Sequence, residues 1–132
     1  MTIRNSEILL DPSTAFTGGT AKPLSFLSFD KGQFRLFLDG TTVLDRTEAE
    51  FSAKSARPKT DAPNGYTQQR RTANLRVPKT LANGKLTYAT VTVSISSDIE
   101  HTDAEVDTLR AYGAQLLMET DYNAFWRSLS LD

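Results

Sequence analysis

The stretch "LTYATVTVSIS", residues 86–96, constrains this chain more than any other segment. Counted in twos, one side carries Ala89, Val91, Val93 and Ile95, and the other carries Tyr88, Thr90, Thr92, Ser94 and Ser96. A period of two marks a half-buried β-strand, since successive side chains leave the pleat on opposite sides. One face requires a core. The other, polar along its length, meets either water or a partner.

Similar alternation recurs upstream. "RTEAEFSA" sets Thr47, Ala49, Phe51 and Ala53 against Arg46, Glu48, Glu50 and Ser52, and "RRTANLRVP" sets Arg71, Ala73, Leu75 and Val77 against Arg70, Thr72, Asn74 and Arg76. Pro78 has no N–H for a ladder and is expected to end that strand. "LSFLSFDKGQFRLFLDG" reads as two strands around the turn Asp30-Lys31-Gly32, with Leu24, Phe26, Phe29, Phe34, Leu36, Phe37 and Leu38 pointing to burial. "SEILLDP" reads as a short strand closed by Pro12, and "FTGGTAKP" as a loop. "KSARPKTDAPNGY" is a long connection, and "KTLANGK" a brief one.

After Ser97 the apolar period changes to about 3.6. Thr102 and Glu105 form a capping-box pattern, so a helix is expected from Asp103, with Val106, Leu109, Gly113, Leu116 and Leu117 as its apolar stripe. Gly113 would let another backbone come close. Asp121 reads as the N-cap of a short second helix carrying Phe125, Trp126 and Leu129. The fold class is therefore α+β: one domain over 1–132, mainly strands over 1–97 and two helices over 102–132.

Chain length suits a single modest core. The net charge of −1 does not advertise a polyanion partner for the molecule as a whole, so any nucleic-acid site must be local. With no cysteine there is no disulfide, thiol chemistry or Cys-ligated metal. No signal-like N-terminus or bilayer-length apolar run is present, so a soluble, unprocessed chain without a membrane partner is expected.

Catalytic patterns are weak. His101, the sole histidine, precedes a capped helix and reads as an exposed linker residue; Glu48 and Glu50 share a strand face and read as solvated or arginine-paired. "TGGT" lacks the lysine and spacing of a phosphate loop, and Asp30, Asp39, Asp45 and Asp61 lack calcium-loop spacing. No enzyme and no cofactor is indicated.

The polar faces carry more. If the strands holding Arg70 to Val77 and Leu86 to Ser96 are antiparallel neighbours, Arg70, Thr72, Asn74 and Arg76 lie beside Tyr88, Thr90, Thr92 and Ser94. That platform offers charge for phosphates, hydroxyl and amide groups for base edges, and a ring for an unpaired base. It is equally compatible with a wet sheet face or a protein interface. The apolar hairpin and the helical pair also hold more apolar surface than a small monomer hides, which points to helices crossing onto a second copy; a well-packed monomer is the alternative.

The strand order, "RTANLRVPK" leading through a short loop into "TYATVTVSIS", and "TDAEVDTLRAYGAQLL" as the first of two terminal helices resemble the coat proteins of the small single-stranded RNA bacteriophages. Supporting details are "GGTAK" and the apolar hairpin. The resemblance implies an intertwined homodimer with one continuous antiparallel sheet lining the inside of an icosahedral shell and helices covering its outside. The implied partners are further copies of the chain and single-stranded viral RNA. The implied place is the virion, assembled in a bacterial host's cytoplasm. It also implies that a dimer grips an RNA stem-loop, repressing translation and marking the genome for packaging.

Residue by residue, Tyr88 matches the position whose ring stacks on an unpaired base, and Thr90 a polar neighbour often occupied by Asn. Thr72 and Asn74 match base or phosphate contacts, the latter often Lys. Arg70, Arg76 and Thr92 share that face. Glu48 and Glu50 depart from the pattern, standing where relatives carry Thr or Ser; they would repel RNA unless paired with Arg46, Arg70 or Arg76. Lys79 to Lys85 matches the loop that meets its symmetry mates at the shell's openings, is short, and cannot be disulfide-linked. A cellular dimeric RNA-binding or interaction module is the alternative function, and a small hydrolase using Glu48, Glu50 or His101 a third.

Overall fold

The computed structural model describes residues 7–10, 19–38 and 42–129. A two-stranded hairpin, β1 (Glu7–Leu10) with β2 (Thr20–Pro23), precedes a five-stranded antiparallel sheet in sequential order. Its strands are β3 (Ser25–Asp30), β4 (Gln33–Phe37), β5 (Glu48–Lys54), β6 (Gln69–Thr80) and β7 (Leu86–Ser97). Two helices follow, α1 (Asp103–Met118) and α2 (Asn123–Ser128), with a single 3₁₀ turn (Thr120–Tyr122) between them. This is the expected α+β order.

Register sorts the side chains. Phe29, Phe34, Phe51, Ala73 and Val93 are successive cross-strand partners, as are Phe26, Leu36, Ala49, Leu75 and Val91. These two rows form one apolar face, because direct partners point to the same side. Phe26 and Phe29 are three residues apart and should face opposite ways; a bulge between Phe26 and Ser28 inserts one residue and restores them to one side. Both rings touch Phe34, at centroid distances of 5.2 and 6.2 Å.

The buried core is small: Leu24, Leu36 and Ala49, with Phe34, Leu38, Phe51 and Leu75 packed against it. Leu36 is fully buried, whereas Phe29 keeps 66% of its surface exposed and Val91 51%. Burial of the hairpin aromatics is thus less than the sequence suggests. Phe37 lies on the opposite, polar face, beneath the Arg46 guanidinium at 4.9 Å.

Three local expectations are corrected. β6 continues through Pro78 to Thr80. Its pairing with β5 ends at Arg76, so beyond that point β6 has β7 on one side and an open edge on the other, where a missing N–H removes no ladder bond. Thr20–Pro23, expected as loop, pairs with Glu7–Leu10; "TAKP" has no alternation to announce a strand, and the pairing comes from its partner. Asp121 is not an N-cap but lies within the 3₁₀ turn, and Tyr122 takes the cap position of α2 without a side-chain cap bond. Pro12, Asp39 and the "TG" opening "TGGT" lie outside the described residues.

Other expectations hold. Lys31 and Gly32 make the β3–β4 turn with positive φ, 49° and 78°. The β6–β7 loop is tight: Leu81 N–H donates to Lys85 O at 2.8 Å and Gly84 N–H to Leu81 O at 2.9 Å. α1 begins at the capping box, where Thr102 N–H donates to Glu105 Oε2 at 2.8 Å and Glu105 N–H to Thr102 Oγ1 at 3.4 Å. The backbone N–H and then the hydroxyl of Thr102 hold the Glu105 carboxyl below the usual glutamate range. α2 folds back on α1 through Trp126 Nε1–H, which donates to Leu116 O at 2.8 Å.

α1 lies on the apolar side of the sheet near β7, yet none of its residues is buried. An open apolar groove of about 540 Å³ is lined by Val93, Ile95, Leu109, Gly113, Leu116 and Leu117. A second, of about 500 Å³, is lined by Phe29, Phe34, Phe51, Ala73, Val93 and Val106.

Candidate nucleic-acid interface

The face opposite the helices is polar because the same register that aligns the apolar rows aligns the residues between them. Across the ladder, Arg70 faces Ser96, Thr72 faces Ser94, Asn74 faces Thr92, and Arg76 faces Thr90, with Tyr88 opposite Pro78. All seven residues singled out in the sequence, Arg70, Thr72, Asn74, Arg76, Tyr88, Thr90 and Thr92, therefore share one side of β6 and β7. The row continues outward: Asn74 faces Glu50, which faces Arg35, and Arg76 faces Glu48.

Neighbouring side chains fix one another. Thr92 Oγ1 donates to Asn74 Oδ1 at 2.6 Å, Arg70 Nε to Ser96 Oγ at 3.2 Å, and the Thr72 and Ser94 hydroxyls share a bond at 3.2 Å. The Arg76 guanidinium carbon stands 3.5 Å above the centre of the Tyr88 ring. The Tyr88 hydroxyl donates to Leu44 O, anchoring the ring at its far end.

The two carboxylates that would oppose a polyanion are each held by an arginine. Arg46 Nε meets Glu48 Oε1 at 2.9 Å, and Arg35 Nε meets Glu50 Oε2 at 2.9 Å. Arg46 is one of the partners expected for them. Arg35 is not, although its alternation with Phe34 and Leu36 places it on the polar side. Arg35, Glu48, Glu50, Asn74, Arg76 and Thr90 line a depression of about 260 Å³.

At the other end of β5 and β6 lies a cleft of about 550 Å³ lined by Lys31, Lys54, Arg57 and Arg70 together with polar groups including Thr67 and Ser96, and by no carboxylate. Of these cations only Arg70 stands among the residues singled out in the sequence. Lys54 was legible, since it follows Glu48, Glu50 and Ser52 at the same period. Lys31 and Arg57 lie in connections, where period gives no direction. The overall charge of −1 thus conceals a polar face whose acids are paired and whose far end is cationic.

His101 is exposed in the link before α1. Among the described residues, no cluster of three His, Cys, Asp or Glu side chains is placed to hold a metal ion, and no helix is long and apolar enough to cross a membrane.

Known structures share this architecture. The chain is similar to the subunit in a virus-like particle of bacteriophage GQ-907, with 24% identity and a TM-score of 0.75, over 99% of this chain and 100% of that one. It is similar to that of bacteriophage AVE019, with 13% identity and a TM-score of 0.68, over 96% of each chain. The protein capsid of bacteriophage GA matches with 16% identity and a TM-score of 0.58, over 94% of each. The chain has the fold of these levi-like phage coat proteins along nearly its whole length. No protein-family model and no curated protein matches the sequence.

Proposed function

We propose that the chain is a capsid protein that dimerises and self-assembles into an icosahedral shell around single-stranded RNA. Its polar sheet face meets the RNA, and its helices lie outside. The observation that carries this reading is a sheet whose apolar face is left open by its own helices while its polar face carries an ordered cationic platform. Likeness to phage coat proteins over almost the full chain supports it.

Unsatisfied surface supports the dimer. Phe29, Val91, Leu116 and Trp126 each leave half or more of their surface exposed, at 66%, 51%, 54% and 52%, and exposed apolar surface of this kind marks an interaction site. Among the described residues β7 has a single neighbour, β6, so an uncharged strand of 12 residues presents an open edge. Pairing β7 with β7 of a second copy continues the sheet. The second copy's helices then fill the grooves beside α1, covering Val91, Leu116 and Trp126. Mechanism here is binding and assembly, and no catalytic step is assigned.

On the inner face, Arg70, Arg76 and the cations of the cleft neutralise phosphates, while Thr72, Asn74, Thr90 and Thr92 offer hydrogen bonds to base edges or sugars. We assign to this face the gripping of an RNA stem-loop that serves as translational repressor and packaging signal in a bacterial host.

Expression of the chain alone in bacteria tests this reading, with size exclusion of the lysate, the 260/280 nm absorbance ratio and negative-stain imaging. Uniform particles holding nuclease-protected RNA are expected. A stable dimer without particles across salt and concentration overturns the capsid reading in favour of a cellular RNA-binding module.

A further inference from the structure

The ring of Tyr88 is already occupied. At 3.5 Å the Arg76 guanidinium carbon is one stacking thickness above the ring centre. At that distance over the ring centre the guanidinium is in direct contact with the face of the ring. Cross-strand neighbours explain why Arg76 is available for this. Its direct partner on β5 is Glu48, but Glu48 gives its carboxylate to Arg46 at 2.9 Å. Arg46 is itself held over Phe37. Among the described residues Arg76 forms no ion pair, and it is exposed.

We propose that Arg76, rather than Tyr88, is the residue on which an unpaired RNA base stacks: the base lies on the outward face of the guanidinium, and Tyr88 supports the guanidinium from below. This rests on the proposed RNA-facing role of the sheet and names the residue that reads the base there. A guanidinium is planar and weakly hydrated, so it stacks on a base as well as on a ring, while its in-plane N–H groups stay free to reach a phosphate or a base acceptor. Tyr88 is suited to the supporting role, since its hydroxyl is tied to Leu44 O and the side chain cannot swing away about χ1 without losing that bond. Glu48 holds Arg46, and Arg46 thereby keeps Glu48 from drawing Arg76 off the ring.

The test compares an abasic ribose heptanucleotide carrying a single adenine at its centre with the fully abasic strand, each titrated into the purified full-length protein across salt concentrations. Wild type is expected to bind the strand with the base about five-fold or more tighter than the abasic one. Arg76→Lys keeps the charge and the salt dependence but loses the plane, so this preference for the base should fall. Tyr88→Leu removes the support but leaves the guanidinium, so the preference should persist in part. Size exclusion and circular dichroism identify any variant that fails to assemble or fold, and the two variants provide separate routes to the answer. A preference kept in full by Arg76→Lys and abolished by Tyr88→Leu overturns the proposal, because the base then rests on Tyr88. Binding by wild type without a preference for the base overturns it as well, leaving the RNA-facing role intact. Absence of any binding by wild type overturns that role itself.

Discussion

Arg35 on β4 and Glu50 on β5 are direct partners across the ladder, and their side chains meet at 2.9 Å on the face assigned to RNA. In the proposed RNA-binding role the carboxylate withholds one cation from the RNA while cancelling its own repulsion. Glu50→Gln is expected to free Arg35 and tighten RNA binding at fixed salt by up to about five-fold, the ceiling of about 1 kcal/mol for an exposed pair. Adding Arg35→Gln should return affinity to near the wild-type value. Filter binding at constant ionic strength checks both steps, and an unchanged affinity for Glu50→Gln would place the pair outside the RNA path.

Val91 separates the free chain from the assembled one. It stands opposite Leu75 on the apolar face, yet half of its surface is open, at 51%. In an isolated chain Val91→Asp costs about 1 kcal/mol, from strand propensity and the covered half of its apolar surface. In the proposed dimer it buries a charge against apolar groups, so size exclusion should show loss of dimer and particles. Unaltered assembly would mean that this face meets solvent.

Gly113 makes a complementary case. A methyl group built on it meets nothing within 4 Å in its own chain, so the space above it is open to the second copy of the proposed dimer. Gly113→Leu should raise the helical propensity of α1 by about 0.5–1 kcal/mol. It should also weaken the dimer, shifting the monomer–dimer equilibrium seen by sedimentation toward monomer. A tighter dimer would remove Gly113 from the interface.

The start of α1 should respond to acid. Because Thr102 lowers the pKa of Glu105 in the folded chain, the capping box contributes its full stabilisation above the unfolded carboxyl's pKa near 4.5, and loses it as pH falls through the lower folded value. Circular dichroism at 222 nm between pH 6 and pH 2 should show a loss of helix in that window that Glu105→Gln largely abolishes. Thr102→Ala is expected to cost about 0.5–2 kcal/mol at neutral pH, measured by urea denaturation.

Alternation made the sheet legible, and with it the platform, because residues 46–53, 70–77 and 88–96 keep period two across most of β5, β6 and β7. The capping box named its helix start from two letters. What escaped the sequence depended on pairing. The bulge after Phe26 reverses the faces within β3, and only the partner strand reveals it. Pro78 stays within β6 because β5 has already ended, a fact held by residues some thirty positions earlier. Arg35 and the cleft cations Lys31, Lys54 and Arg57 are surface charges whose meaning arises from what the register sets beside them.

One sheet face is proposed to meet RNA and the other a second copy of the chain. Cryo-electron microscopy of particles formed on expression of the chain alone tests both halves in one map. The expected map shows a shell of dimers in which β7 pairs with β7 of the partner, helices cover the outside, and nucleic-acid density lies against Arg70, Arg76 and Tyr88 on the inside. A shell with helices lining the interior, or one whose β7 edges remain unpaired, would contradict it.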